Sequence, residues 1–223
     1  MKTRLGLIAA TLAAAAVTLA GPAHAASTVH GDAEAGSQNW SEQQYDNDCG
    51  LMSLAHLIGR LTGNTPSEED IIAMAATVPS VVHDGPVYVK PGEGPSEGLS
   101  PDDAVPLAER YGVNVVMTWD VNADETGWET GMPALERYLD ESGAAIAGVD
   151  ADLLWDIPDG GMGGHSVLVT EIDDANGVVH LNDSGRPGGA DEQISIDTFE
   201  AAWAAENHPL IIATAGTGSV TPS

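Results

Sequence analysis

Hydrophobic periodicity changes along this chain, and the change constrains the fold more than any other feature. Apolar residues recur at helical spacing over 51–61, and cap and first-turn proline signals predict two more helices before residue 112. Further on, apolar runs at 165–172 and 178–183 flank a turn at 173–177, which predicts an antiparallel hairpin. Helices first and a mostly antiparallel sheet afterwards indicate an α+β fold.

The N-terminal segment has the pattern of a secretory signal peptide. Lys2 and Arg4 precede a continuous apolar run, and the small-x-small pattern at 23–25 is typical of a signal peptidase site. We therefore expect residues 1–25 to be cleaved and the mature protein to be secreted and extracellular. No later stretch reaches the roughly 18 apolar residues of a transmembrane helix, so the sequence predicts no membrane span.

Composition predicts one domain with polar ends. Small polar residues without periodicity predict a disordered lead-in at 26–39 and a flexible tail at 214–223, around a single domain at 40–213. The chain has 34 acidic residues against seven basic ones. This acidity disfavours binding to nucleic acid or to anionic membranes, and it favours a soluble monomer.

Cys49 is the only cysteine, so it cannot form an internal disulfide. An exported free thiol is a liability unless it is buried or used, and the cysteine count alone leaves both interpretations open. The position of Cys49 favours a reactive role, because unpaired N–H groups at a helix start lower the pKa of a thiol. Asp46 and Asp48 oppose a thiolate, so the sequence requires a base from elsewhere.

His165 is the histidine best placed to act as that base. A glycine-rich stretch at 160–164 delivers it into a predicted strand, and such glycines allow a close backbone approach. If the hairpin turn is centred near residue 175, His165 and Asp183 share one face of the sheet. A turn shifted by one residue would instead put the two side chains on opposite faces of the sheet. The sequence thus predicts a base and an orienting carboxylate, which are two members of a catalytic triad.

Gln43 is the candidate for stabilising an oxyanion. A side-chain amide six residues before a cysteine at a helix start can fold back beside the thiol. There it would act together with the Cys49 backbone N–H. Gln44 is the neighbouring alternative, and a plain role in a polar loop is the commoner fate of a single glutamine.

Together these residues resemble the stand-alone, secreted branch of the double-glycine (bacteriocin-processing) peptidases, a C39-like group of papain-like enzymes. The resemblance rests on Gln-x(5)-Cys-Gly before an apolar helix, Gly-His-x-Val-x-Val at 164–169, and Leu-Asn-Asp at 181–183 followed by Phe-x-x-x-Trp. It spans about residues 40–212, and its motifs are specific in combination and weak singly.

The resemblance implies a papain-like fold, in which the cysteine helix packs on an antiparallel sheet that carries the histidine and the aspartate. It implies that Cys49 is the nucleophile, His165 the general base and acid, Asp183 the orienting residue and Gln43 the oxyanion donor. One departure is Ser184, where the family usually has proline. The implied activity is thiol-dependent hydrolysis of a peptide or protein substrate without a cofactor. The double-glycine leader substrate of transporter-linked members is not carried over.

Alternative functions stay open at this stage. A catalytically silent papain-like domain would bind peptide or cell-wall material, although such a domain has no chemical need for a reactive thiol. A cell-wall peptidase of the Cys-His-His type needs a second histidine, and His180 is predicted on the opposite sheet face. The stretch Asp120–Asp124 begins like a calcium loop but lacks the required Gly and Glu, so we expect no metal there.

Overall fold

The computed structural model describes residues 28–94, 98–158 and 160–214. The predicted signal peptide at 1–25 lies outside the described residues, as do residues 215–223 of the predicted tail. Among the described helices, none has the length and apolar character needed to cross a membrane.

Helices and strands alternate irregularly along the described chain. The helices are α1 (Ala33–Ser37), α2 (Cys49–Thr62), α3 (Glu68–Ala75), α4 (Ala104–Glu109), α5 (Ala123–Thr126), α6 (Met132–Ser142), α7 (Ala151–Leu154) and α8 (Ile196–Ala205). The strands are β1 (Val29–Gly31), β2 (Val115–Thr118), β3 (Ala145–Asp150), β4 (Gly164–Asp173), β5 (Val178–Asn182), β6 (Glu192–Ser195) and β7 (Leu210–Ala213).

One antiparallel sheet organises these elements. Its strands follow the order β2-β7-β3-β4-β5-β6, and β1 pairs with β4 outside this path. Every neighbouring pair is antiparallel, including the predicted β4–β5 hairpin. The predicted α+β fold, with a helix that begins at the cysteine and packs on an antiparallel sheet, is confirmed.

Side-chain alternation divides the core between the two faces of the sheet. Ile146 and Leu168 belong to the cluster formed with α2, α3 and α4, whereas Ala147 and Val169 belong to the cluster formed with α6 and α8. The side chains of α2 from residue 51 to residue 59 are all buried. A helix buried this completely is held rigidly, and it presents its first turn at a defined place beside β4.

Two polar bonds fix the start of α2 more closely. Ser53 donates to the Ser166 carbonyl of β4 over 2.9 Å. His56 is fully buried and accepts a 3.0 Å bond from the Ser41 backbone N–H, which ties the loop before α2 to the helix. Burial lowers the pKa of His56 to about 4, so this residue is a neutral structural support at neutral pH.

The prediction that residues 26–39 form a disordered lead-in is wrong for residues 28–39. β1 pairs with β4, and Asp32 caps α1 through its side chain. The buried amide of Asn182 donates to the Gly36 carbonyl over 2.9 Å, which ties α1 to β5. A three-residue strand and a five-residue helix are too short to show periodicity, and tertiary contacts stabilise them instead.

Replacing Asn182 by alanine tests that contact. The substitution removes the donor to the Gly36 carbonyl, and we expect the free energy of unfolding to fall by about 1–3 kcal/mol. Chemical denaturation followed by circular dichroism measures this change. The exposed Gln38→Ala is the control, with an expected change within about 0.5 kcal/mol. Equal losses in the two variants would show that the Asn182–Gly36 bond does not anchor the N-terminal segment.

Candidate active site

The β4–β5 hairpin brings His165 to Asp183 through a register that changes once. Next to the turn, Asp173 pairs with Val178, and this register alone would put the two side chains on opposite faces. A bulge at Thr170 shifts the pairing by one residue before the strands reach the site. His165 Nε2 consequently lies 2.9 Å from Asp183 Oδ1. The proximity expected from the sequence is therefore present, although the bulge that produces it was not foreseen.

Asp183 is fully buried, and each carboxylate oxygen has a donor. The Gly185 backbone N–H donates to Oδ1 over 2.8 Å, and Trp155 Nε1 donates to Oδ2 over 3.0 Å. Burial by itself would raise the pKa of Asp183, but the bond to His165 and its charge, together with these donors, hold the pKa below its ordinary value. The Trp155 ring also covers His165, with ring centroids 4.8 Å apart.

Cys49 is the first residue of α2, and its thiol interacts with His165. Because Nε2 of the imidazole is bonded to Asp183, Nδ1 is the nitrogen left for the sulfur. Burial would lower the pKa of His165, but the bonds to Asp183 and Cys49 raise it to about 9. Burial opposes ionisation of the thiol, yet the bond to His165 and its charge outweigh it and lower the pKa of Cys49. These shifts favour a thiolate–imidazolium pair.

Backbone groups assist the thiolate. The N–H groups of Gly50, on the first turn of α2, and of Ser166, on β4, both contribute to lowering the pKa of Cys49. Asp48 occupies the N-cap position, but its side chain makes no capping bond, so the first N–H groups of α2 are not satisfied by it. The sequence placed a helix start here correctly, whereas the Ser166 contribution comes only from the packing of α2 on β4.

Gln43 lies in the same cleft as Cys49 and His165. Its Oε1 accepts a 2.8 Å bond from the Ser184 hydroxyl, and its backbone N–H donates to the Ser184 carbonyl over 2.9 Å. Ser184, the position that departs from the double-glycine peptidase pattern, directly follows Asp183 and thus connects the glutamine loop to the end of β5. The Gln43 amide nitrogen donates to the carbonyls of Tyr45 and Asp46, at 3.0 and 3.3 Å. Donation to an oxyanion requires one of these two bonds to be exchanged.

A cleft of about 460 Å³ lies between the start of α2, the end of β3 and the beginning of β4. Its described lining includes the apolar side chains Leu99, Pro101, Trp119, Val149, Trp155 and Met162. Asp46 and Glu206 are the carboxylates among the described lining residues, and no lysine or arginine lines it there. The cleft is large enough for a short stretch of extended peptide, and its lining is apolar with negative charge.

His180 takes no part in this arrangement. Its Nδ1 lies 2.6 Å from Asp191, and its Nε2 lies 3.6 Å from Glu171. The neighbour of His165 is the carboxylate of Asp183, so the geometry favours a Cys-His-Asp set over a Cys-His-His set.

Metal-ligand geometry occurs once among the described residues. His30, Glu136 and Asp174 offer ligand atoms within 4.8 Å of one another, and none of them lines the cleft. In the calcium-like stretch, Asp120 instead binds the side chains of Thr130 and His208.

Comparison with known proteins places this geometry in context. No family model matches the sequence. Uncharacterized proteins of Mycobacterium tuberculosis and Mycobacterium bovis are 44% identical over 213 residues, covering 90% of this chain and 91% of each relative. The chain belongs to the family of these mycobacterial proteins.

A crystal structure from Bacillus anthracis, described as a C39-like peptidase, matches 80% of this chain and 95% of its own with a TM-score of 0.56 and 16% identity. The fold is therefore the C39-like, papain-like fold.

The dependence of thiol reactivity on pH tests the Cys49–His165 pair. In the wild-type protein the thiolate is stabilised by a positively charged imidazole, so alkylation by iodoacetamide should proceed well below the pH at which an ordinary thiol ionises. In His165→Ala the hydrogen bond and charge of the imidazole are lost, burial still opposes ionisation, and the N–H groups of Gly50 and Ser166 offset burial only in part. We therefore expect alkylation near pH 7 to slow by at least about tenfold. Mass spectrometry of Cys49 modification against pH measures both.

A matched control uses a histidine outside the cleft. His83 is exposed, and His83→Ala should leave the alkylation profile unchanged. Profiles that superpose for wild type and His165→Ala would show that the imidazole does not activate the thiol.

Proposed function

We propose that this protein is a cysteine peptidase that hydrolyses peptide bonds. The proposal is carried by one continuous chain of contacts in an open cleft: the thiol of Cys49, the imidazole of His165 and the buried carboxylate of Asp183. A nucleophile, a base and a group that orients the base are the three parts needed for acyl transfer. The C39-like fold supports the same conclusion.

The reaction then follows from the geometry. The Cys49 thiolate attacks the scissile carbonyl carbon, and the carbonyl oxygen becomes an oxyanion. The His165 imidazolium gives its proton to the leaving amine, so a thioester and a neutral imidazole remain. The imidazole next takes a proton from water, whose oxygen attacks the thioester. Release of the carboxylic acid product restores the thiolate and the imidazolium. Asp183 holds the ring and stabilises its charged form in both steps.

The oxyanion donors in this proposal are the Cys49 backbone N–H and the Gln43 side chain. Ser184 fixes the carbonyl end of the Gln43 amide, so the nitrogen end, now bonded to the Tyr45 and Asp46 carbonyls, is the end available to an oxyanion. When substrate binds, an N–H of this amide exchanges a loop carbonyl for the oxyanion. A bond to a developing negative charge is stronger than a bond to a neutral carbonyl, which drives this exchange.

Activity measurements on a set of four variants test these roles. A library of fluorescence-quenched peptides is the substrate. Cys49→Ser and His165→Ala should abolish measurable hydrolysis, and Gln43→Ala should lower kcat by about 10²–10³-fold with little change in KM. Gln44→Ala is the matched control, since its side-chain amide binds the Glu42 carbonyl and does not line the cleft.

Two outcomes would overturn parts of the proposal. A loss of activity in Gln44→Ala with none in Gln43→Ala would move the oxyanion role to Gln44. If the protein binds peptides but never forms a covalent adduct with peptide electrophiles, it is a silent papain-like binding domain and not a peptidase.

The charge of the cleft predicts which peptides are favoured. Asp46 and Glu206 attract cations, so peptides with lysine or arginine near the scissile bond should be cleaved several-fold faster than acidic ones at low salt. Cationic and anionic methanethiosulfonate reagents report the same potential at Cys49 without any catalysis. Glu206→Gln should reduce the preference, whereas the exposed Glu141→Gln, which does not line the cleft, should not. Equal rates for both reagents would contradict this charge selectivity.

We also propose that the protein acts outside the cell after removal of residues 1–25. The proposal is supported by the basic, apolar and small-residue regions of that segment. N-terminal sequencing of protein from the culture medium should begin at Ala26. Retention of the full-length chain in the cytoplasm would refute it.

A further inference from the structure

Asp48 is a buried acid that the proposed reaction does not use. It directly precedes Cys49, and its side chain is fully buried. Its backbone starts α2 by accepting the 2.8 Å bond from the Met52 N–H, but its carboxyl group does not cap the helix. A buried carboxylate beside a nucleophilic thiolate is doubly unfavourable, because it is desolvated and has the same charge as the sulfur.

The two oxygens of this carboxyl group have different hydrogen-bond surroundings. Oδ1 accepts a hydrogen bond from the Tyr88 hydroxyl. Oδ2 is buried and receives no donor. The carboxyl of Glu68, at the start of α3, also interacts with Asp48. Glu68 in turn accepts a 2.7 Å bond from the Gln44 backbone N–H, in the loop that carries Gln43.

A single proton resolves both unfavourable features. Two carboxyl groups that interact do not both ionise readily, so Asp48 retains a proton up to about pH 6. A protonated Asp48 is an O–H donor, and its natural acceptor is the adjacent Glu68 carboxylate. The orphaned oxygen then has a partner, and the buried side chain is neutral.

We propose that Asp48 and Glu68 share one proton in mildly acidic solution. The protonated pair positions the Gln43–Gln44 loop against the start of α2 and limits the negative charge beside Cys49. Asp48 is thus a positioning residue that acts through its neighbours. The proposal deepens the proposed function and rests on it only for the catalytic use of Cys49.

The groups packed around the pair determine how it responds to pH. Burial raises the pKa of Asp48 to about 6, the Tyr88 hydrogen bond opposes that rise, Glu68 adds to it, and the positive charge of Lys90 again opposes it. Lys90 itself is bonded to Glu69, so its charge is largely committed there. Above about pH 6 the pair loses its proton, and a second negative charge then opposes the thiolate of Cys49.

The substitution Asp48→Asn removes the ionisable group of this side chain and keeps its shape. The amide still accepts from Tyr88 and donates to Glu68, but it does not titrate. The iodoacetamide profile of the wild-type protein should contain two ionisations, that of the thiol and one near pH 6. In Asp48→Asn the second should disappear, and the thiolate should be favoured, with alkylation about two- to fivefold faster on the rising part of the profile. Nuclear magnetic resonance of ¹³C-labelled aspartate should show one carboxyl that titrates near pH 6 in the wild type only.

Asp46→Asn is the matched control. Asp46 is exposed and lies in the same loop, so its removal takes away a nearby charge without touching the buried pair. The ionisation near pH 6 should persist in this variant. Should Asp48→Asn fail to fold, Glu68→Gln removes the negative charge of the other member, and the ionisation of Asp48 should then move to lower pH. An ionisation that stays near pH 6 in Glu68→Gln would also contradict the pair.

Two results would overturn the shared proton: superposable profiles for wild type and Asp48→Asn, or aspartate resonances that all titrate below pH 5. Both measurements are independent of peptide hydrolysis. A protein that hydrolyses no peptide but loses the ionisation near pH 6 in Asp48→Asn would refute the peptidase function and retain the carboxyl pair.

Discussion

The buried hydrogen bond between His165 and Asp183 is the interaction on which the rest of the site depends. Burial lowers the pKa of His165, and the bond to Asp183 is the largest contribution that raises it, so the charged imidazole that can hold a thiolate depends chiefly on this carboxylate. Asp183 tolerates its own burial because Trp155, Gly185 and the imidazole all donate to it. In the proposed mechanism, the reactivity of Cys49 therefore depends on Asp183, which lies on the far side of His165 from the thiol.

Two rigid elements carry the reacting groups, and a loop carries the groups that assist them. Cys49 is fixed by the buried helix α2, and His165 by the central strand β4. The loop at 41–48 is held at several points: His56 binds its beginning, Ser184 binds Gln43, and Glu68 binds Gln44. Precise placement on helices and strands suits covalent chemistry, while a loop held by exchangeable polar bonds can adjust its amide to an oxyanion.

The same short stretch of chain places two acidic residues next to the thiol of Cys49. The sequence puts acids on both sides of residue 47, which at first opposes a thiolate at residue 49. In the folded protein Asp46 is exposed, where water screens its charge, and Asp48 is buried against Tyr88 and Glu68. Where that pair shares a proton, in mildly acidic solution, the buried acid adds no negative charge beside the thiol.

Local signals in the sequence determined the helix that begins at Cys49, the antiparallel hairpin and the identity of the four candidate site residues. Periodicity and turn chemistry act over a few residues, so these features can be predicted without knowledge of the fold. Only the tertiary structure decided the bulge at Thr170, which sets His165 and Asp183 on one face, and the docking of residues 28–39, whose elements are too short to be stable alone. It also decided the partners of Asp48 and Gln43, because Tyr88 lies 40 residues from Asp48 and Ser184 lies 141 residues from Gln43, and contacts over such separations leave no local pattern.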